Sequence, residues 1–596
     1  MNVNRLFKTP SGRALLWRSI GLILTVGFLL SGCMVGTEEP APPEMTLPVD
    51  DLVEVQETKP PVITNPKLDS SLNQLLDAYR NDGMAEAQSF ATTHGMVLEG
   101  DRVQVVIVTT SQAIDKLTET VTSLGGEVQG HYEGYLQALV PIDSLESLAE
   151  QQLVQLIREP SQPITQVLTE LGSATTEGVA ASNVTDWHTA GYNGTGVRVA
   201  VIDIGFTNYS TLLGSDLPGS VGTYDWTGTG IGGSEHGTAC AEIVHDMAPG
   251  ASIDLHKIST DVELGLAVSQ TISDGVDIIS MSLGWTIDGP GDGTGYLASI
   301  VADARSNGIF YATAAGNEAE VTWAGNYVNS GTNDYHAWDG ASEWDNFMES
   351  SPGNCNVFPP GYPLRAGLHW DDWGAVDQDY NLHLYRWPGG STIFRVASST
   401  NTQNGGPGQT PEEYIGYTAA GGNCYAWVVE RVSSNRDVCL RLRAPKTGHL
   451  NYWTTSRSIG FPADSPDAVT VGAVDVNSPY SLEIYSSQGP TFGTSGVCSG
   501  GSTKPDIVAY ANVSTASYGT AVFNGTSAAT PHVAGASALV KQFFPAYTVD
   551  QLQNYLESEA LDLGAPGKDN LYGWGRLYLL SIKHSVYMPW ILKNHP

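Results

Sequence analysis

One stretch narrows the possible folds more than any other: Asn524-Gly525-Thr526-Ser527-Ala528-Ala529-Thr530-Pro531-His532-Val533-Ala534-Gly535. Gly525 permits a sharp chain approach that a side chain would block. Pro531 suits the first turn of a helix, where its missing N–H costs little. Val533, Ala536, Leu539 and Val540 then follow at helical spacing. The pattern predicts Ser527 at a helix N-terminus, where the dipole and the free N–H groups favour developing negative charge. A nucleophilic serine needs that environment, and a small cap on a buried helix uses the same residues. The rest of the chain decides between the two.

With 596 residues there is room for several domains. Charged residues make up only 15%, and the 66 glycines suit a loop-rich α/β enzyme. The net charge of −35 repels nucleic acid and anionic membranes, which sets nucleic-acid binding aside. The N-terminus has the form of an export signal. Arg5, Lys8, Arg13 and Arg18 precede an apolar run at 20–30 that is too short to span a bilayer comfortably. It ends in Leu30-Ser31-Gly32-Cys33, which resembles a bacterial lipoprotein box in which the cysteine becomes the lipidated N-terminus. A plain signal peptide with a chance cysteine is the alternative. Membrane attachment is expected through that lipid alone.

Residues 1–33 are thus expected to form the signal, and the Pro-rich, acidic stretch 34–66 a tether. Residues 67–99 predict helix. Within 101–160 the apolar patterns follow the order β-α-β-β-α-β, a ferredoxin-like α+β unit. Residues 161–182 are small and polar and are expected to form an exposed, cleavable linker. From residue 183 the texture becomes α/β. Buried parallel-type strands end in Asp203, near Ser282 and in Asn317, with helical segments between them. Chemistry in such sheets gathers at the carboxyl ends of the strands. Five cysteines remain after Cys33: Cys240, Cys355, Cys424, Cys439 and Cys498. Export permits disulfides, and an odd number leaves at least one thiol outside intrachain pairs. Cys240, four residues after His236, is expected to be a buried free thiol.

The chain order Asp203, His236, Ser527 is the order of a subtilisin-type triad. Residues 183–582 resemble a subtilase through Ala200-Val201-Ile202-Asp203, His236-Gly237-Thr238, Ser282-Leu283-Gly284, Ala315-Gly316-Asn317, Lys504-Pro505-Asp506, the stretch 525–535 and Gly573-Trp574-Gly575-Arg576. The resemblance implies a subtilisin-like parallel sheet flanked by helices and a serine endopeptidase activity. Ser527 would be the nucleophile, His236 the base and Asp203 its orienting partner. The Asn317 amide and the Ser527 N–H would hold the oxyanion, and losing one such donor costs on the order of 10²–10³ in rate. Ser282, Leu283 and Gly284, with Ala315 and Gly316, would bind substrate backbone as an added strand. Protein or peptide substrates and the chain's own propeptide are the partners implied. The α/β unit in 67–160 resembles a propeptide that chaperones and inhibits. No cofactor is required for the chemistry, although structural calcium is compatible with the composition. His532 is expected to pack or cap.

Two departures stand out. Asp203-Ile204-Gly205 lacks the usual hydroxyl after the aspartate, which puts its hydrogen-bond support in doubt. The second is spacing: 320–456 is an insertion of short aromatic strands, a β-sandwich that resembles a pre-peptidase C-terminal-like domain. Its acidic residues Asp371, Asp372, Asp377 and Asp379 are expected to be solvated strand ends or a calcium site. Residues 583–596 form a tail. Two other readings use the same scaffold: a catalytically inactive surface binding protein and a transpeptidase or macrocyclase.

Overall fold

The computed structural model describes residues 45–46, 54–56, 65–164, 175–351 and 353–582. The signal segment, Cys33, most of the proposed tether, linker residues 165–174 and the C-terminal tail lie outside them. Among the described residues no helix is long and apolar enough to cross a membrane.

A seven-stranded, all-parallel sheet forms the centre. Its order is Ile507–Ala511, Val469–Asp475, Phe310–Ala314, Ile278–Met281, Arg198–Asp203, Ser252–Lys257 and Gly222–Asp225. Except for the half-exposed edge strand Gly222–Asp225, the strands are buried on both faces, because helices cover both. On one face lie His236–Met247 and Thr526–Phe543, packed with Val199, Val201, Val471 and Val508. On the other lie Asp261–Ser273 and Tyr296–Ser306, packed with Ala200, Ile202 and Ile279. Thr260 caps the first of these helices by accepting from the Glu263 N–H at 3.2 Å, and Asp261 and Glu263 place negative charge in its first turn. The arrangement is an α/β sheet flanked by helices, as the strand and helix patterns imply.

Two further layers attach to this core. Helices Ser70–Asp82 and Met84–His94 precede an antiparallel sheet ordered Leu156–Arg158, Arg102–Val108, Tyr135–Pro141, Glu127–Tyr132. Helices Ile114–Ser123 and Leu145–Ala149 complete the β-α-β-β-α-β order. This unit sits on the helices Asp261–Ser273 and Tyr296–Ser306. The Tyr135 ring stacks on Tyr296 at 3.8 Å, Arg158 pairs with Asp261 at 2.5 Å, and Gln137 links Thr260 and Glu263 at 2.7 and 3.2 Å.

The second layer interrupts the core between Phe310–Ala314 and Val469–Asp475. It is a sandwich of an eight-stranded sheet and a four-stranded one, with Trp370, Trp427, Tyr380 and Leu442 between them. The larger sheet takes edge strands from the proposed tether: Met45–Thr46 pairs with Asn354–Cys355, and Glu54–Gln56 with the strand Thr392–Ser399. The segment read as a spacer therefore contributes backbone to the sheet in two places. Cys355 bonds to Cys424 within the sandwich, whereas Cys439–Cys498 ties the sandwich to the core. Of the acidic residues expected at solvated strand ends, Asp377 is exposed, whereas Asp371 and Asp372 are engaged by the protein. Asp372 is 5% exposed and accepts from the N–H groups of Asp377 and Gln378 at 2.6 and 2.8 Å. Asp371 accepts from Arg436 and from the Cys439 N–H.

Candidate active site

The two central strand ends and the two helices on one face converge on one point. Asp203 is the last residue of its strand and is fully buried. His236 opens its helix, and its Nδ1 lies 2.8 Å and 3.0 Å from the two Asp203 carboxylate oxygens. That contact fixes the ring and leaves Nε2, which has no hydrogen-bond partner among the described residues. The support missing at Ile204 comes from the main chain: the Ile204 N–H donates to Asp203 Oδ1 at 2.8 Å. Beneath the pair, Cys240 is buried and free, within 3.7 Å of the Ser527 carbonyl oxygen. Burial, with Asp203 nearby, pushes its thiol well above the ordinary range, so it stays protonated. Asp203, His236 and Cys240 are the one trio of His, Cys or acidic side chains among the described residues with ligand atoms mutually within 4.8 Å.

Ser527 is the second residue of the helix Thr526–Phe543. The turn before it needs glycine, because Gly525 has φ +86° and a Cβ there would lie 3.0 Å from the Asn317 amide nitrogen. Ser527 Oγ donates to the Ser282 carbonyl at 3.3 Å, and Ser282 Oγ donates back to the Ser527 carbonyl at 2.9 Å. Asn317 Oδ1 accepts from the Thr526 N–H and hydroxyl at 2.9 and 3.0 Å. That contact turns the oxygen toward the protein and assigns the amide N–H₂ to the site. His532 lies one turn inside the helix. Its Nδ1 meets the Ala528 carbonyl and its Nε2 the Thr176 hydroxyl, both at 2.8 Å, and burial lowers its pKa to about 3. It is a packing group.

Ser282, Leu283, Gly284, Gly316, Asn317, Thr526 and Ser527 line one small cavity, closed on one side by Ile164 of the N-terminal unit's tail. Ile164 forms an antiparallel bridge with Gly284, its N–H donating to the Gly284 carbonyl at 2.9 Å. Ala315 stands just behind, its carbonyl accepting from the Gly460 N–H.

One residue of this cavity's wall, and the arginine that pairs with it, were not apparent from the sequence. Glu318 also lines it, and the buried Arg443 of the sandwich pairs with the Glu318 carboxylate at 2.6 Å and donates to the Trp285 carbonyl at 2.5 Å. One guanidinium thus joins the segment after Gly284 to the segment after Asn317. Gly316, at φ +108°, makes room for it, since a Cβ there would fall 2.3 Å from Glu318 Oε2. The alternation Leu440, Arg441, Leu442, Arg443 carried the signal. Its arginine face turns toward the core.

Comparison with known proteins fits this geometry. The subtilase family model matches residues 194–348 and 366–575, more than half of the sequence. The chain belongs to the subtilase family. Subtilisin of Bacillus pumilus is 35% identical over 254 residues, covering 42% of this chain and 80% of that protein. Subtilisin amylosacchariticus of Bacillus subtilis subsp. amylosacchariticus is 28% identical over 253 residues, or 41% of this chain. The chain spans only 57% of that relative's length. Among solved structures, the Clostridium perfringens CspB protease aligns with a TM-score of 0.50 at 16% identity, covering 69% of this chain and 99% of that one. At that identity the likeness concerns the fold.

Proposed function

We propose that the protein is an exported serine endopeptidase that matures by cutting its own linker. The observation that carries this reading is the path of the tail: the Ile164 backbone pairs as an added strand with Gly284, beside Ser527 and the buried His236–Asp203 pair. A peptide held in this way presents its carbonyl carbons to the serine in a fixed register.

In the reaction, Ser527 Oγ attacks the carbonyl carbon while its proton passes to His236 Nε2. Asp203 holds the imidazole in the correct tautomer and stabilises the imidazolium. The negative oxygen that forms is met by the Asn317 side-chain amide and the Ser527 N–H, which starts a helix. His236 then returns the proton to the leaving amine, the C–N bond breaks, and water releases the acyl group by the same steps in reverse. The chain's own groups account for every proton, so no cofactor enters the scheme. Export, and anchoring through a lipid on Cys33, rest on the N-terminal signal pattern.

The register also predicts where the linker is cut. Ile164 opposes Gly284, and the Ser282 carbonyl two residues before Gly284 lies 3.3 Å from Ser527 Oγ. Cleavage is expected within the first few linker residues after Ile164. The wild type should lose everything up to that bond and digest an unstructured protein, while Ser527→Ala stays full length. If both variants process alike and neither digests anything, the chain is not a protease, and an inactive binding protein becomes the better reading.

A further inference from the structure

The tail that reaches Gly284 lies between two walls. On the inner side is the core segment after Gly284, where Trp285 Nε1 donates to the Ser161 carbonyl at 3.2 Å. On the outer side is the inserted sandwich, from which Arg365 Nη2 donates to the Gln162 side-chain oxygen at 2.6 Å. The tail does not fill the space. A cavity of about 110 Å³ remains, lined by Gln162, Trp285, Ile287, Thr410, Glu412 and Tyr414 among others.

The outer wall is also tied directly to the core. The Cys439–Cys498 disulfide, the Arg443 contacts to Glu318 and Trp285, and a hydrogen bond from the Gly289 N–H to Glu412 at 3.0 Å all run directly between sandwich and core. At Gly367 the two surfaces touch so closely that a Cβ would lie 2.2 Å from Ile287 Cγ2. When the N-terminal unit departs, these direct ties between sandwich and core remain, and the space between the two walls is emptied.

We propose that the inserted sandwich is the outer wall of an extended substrate channel, in which Arg365 binds an acidic or amide side chain two residues upstream of the residue paired with Gly284. This rests on the protease reading given above. A guanidinium only donates, and it prefers a carboxylate to an amide. Lys446 of the sandwich lies close enough to Arg365 to interact with it electrostatically, and both stay when the tail leaves. The preferred substrates are extended polypeptides carrying Glu, Asp or Gln at that position.

The test uses self-processed wild type and internally quenched peptides of the sequence 159–172, with Gln, Glu or Lys at the position of Gln162, and a short peptide beginning at Pro163. The expected order of kcat/KM is Glu above Gln above Lys, with at least tenfold between Glu and Lys. The Gln peptide should exceed the short one several-fold. Arg365→Glu should reverse the order so that Lys is preferred, an inversion that a merely structural role for Arg365 would not produce. The proposal is overturned if the rates ignore that position, or if Arg365→Glu still prefers Glu. If the wild type cuts none of the peptides and leaves casein intact, the protease reading fails and takes the channel with it.

Discussion

His236 and Asp203 form a fully buried hydrogen-bonded pair whose outer nitrogen has no partner among the described residues, a state that costs free energy unless an occupant uses it. At 204, where Ile stands in place of a hydroxyl residue, the backbone N–H donates to the Asp203 carboxylate. The Asn317 oxygen fixes Thr526, and in the proposed mechanism its amide nitrogen serves the oxyanion. Asn317→Ala should therefore lower kcat by on the order of 10²–10³ with a smaller change in KM, read by steady-state kinetics on a peptide substrate. A loss of less than threefold would remove the side chain from the chemistry. These residues were legible in the sequence because the reaction demands particular types in tight local frames. A glycine must open the turn before the serine, a histidine must start a helix, and a strand must end in Asp; Asn317, expected at a strand end, lies three residues beyond the strand Phe310–Ala314. Glu318 was not legible, because a carboxylate after Asn317 gains a role only once an arginine 125 residues away reaches it.

The strand Cys439–Arg443 shows where periodicity misleads. Its two-residue alternation put leucines in the sandwich core, as expected, but Arg441 and Arg443 are each 1% exposed. Arg441 lies over Phe461 and Phe492 at 5.2 and 5.5 Å, and Arg443 crosses to the pocket wall. A polar face on a strand is buried when another domain covers it, and one sequence carries no mark of the cover. Arg443→Met should leave Glu318 buried and unpaired, which costs about 3–5 kcal/mol. Guanidinium unfolding measures this, and a cost below about 1 kcal/mol would mean that the ion pair does not hold the two segments together. The same reasoning applies to the N-terminal segment. Its prolines and acidic residues read as a spacer, yet Met45–Thr46 and Glu54–Gln56 complete sheet edges. Pairing at an edge uses backbone groups, so composition gives little warning of it.

Core, N-terminal unit and sandwich meet along residues 158–164, and that junction is rich in carboxyl groups. Burial, aided by the neighbouring Asp69, pushes Glu159 up to about 8, and Asp69 is raised as well despite its hydrogen bonds and nearby Arg158. An acid whose folded pKa is raised takes up a proton on folding. Its stabilising contribution is complete below about 4.5 and is lost as pH climbs to about 8. The melting temperature of full-length Ser527→Ala should therefore fall between pH 5 and pH 9. In a Glu159→Gln background the fall should be smaller, and equal slopes in the two backgrounds would contradict this source of pH sensitivity. The order of the α/β unit, the parallel sheet and the presence of a sandwich followed from strand and helix patterns. How the three dock did not, because docking depends on pairs such as Tyr135–Tyr296 and Arg365–Gln162, which lie 161 and 203 residues apart.

The central claim is that one serine, activated by His236, performs the chemistry. It is tested most directly by labelling the processed protein with a phosphonofluoridate and locating the adduct by peptide mass spectrometry. A single adduct on Ser527, while other serines stay unmodified, is the expected result. A protein that digests casein but carries no adduct at Ser527, or carries it at another serine, would contradict the account.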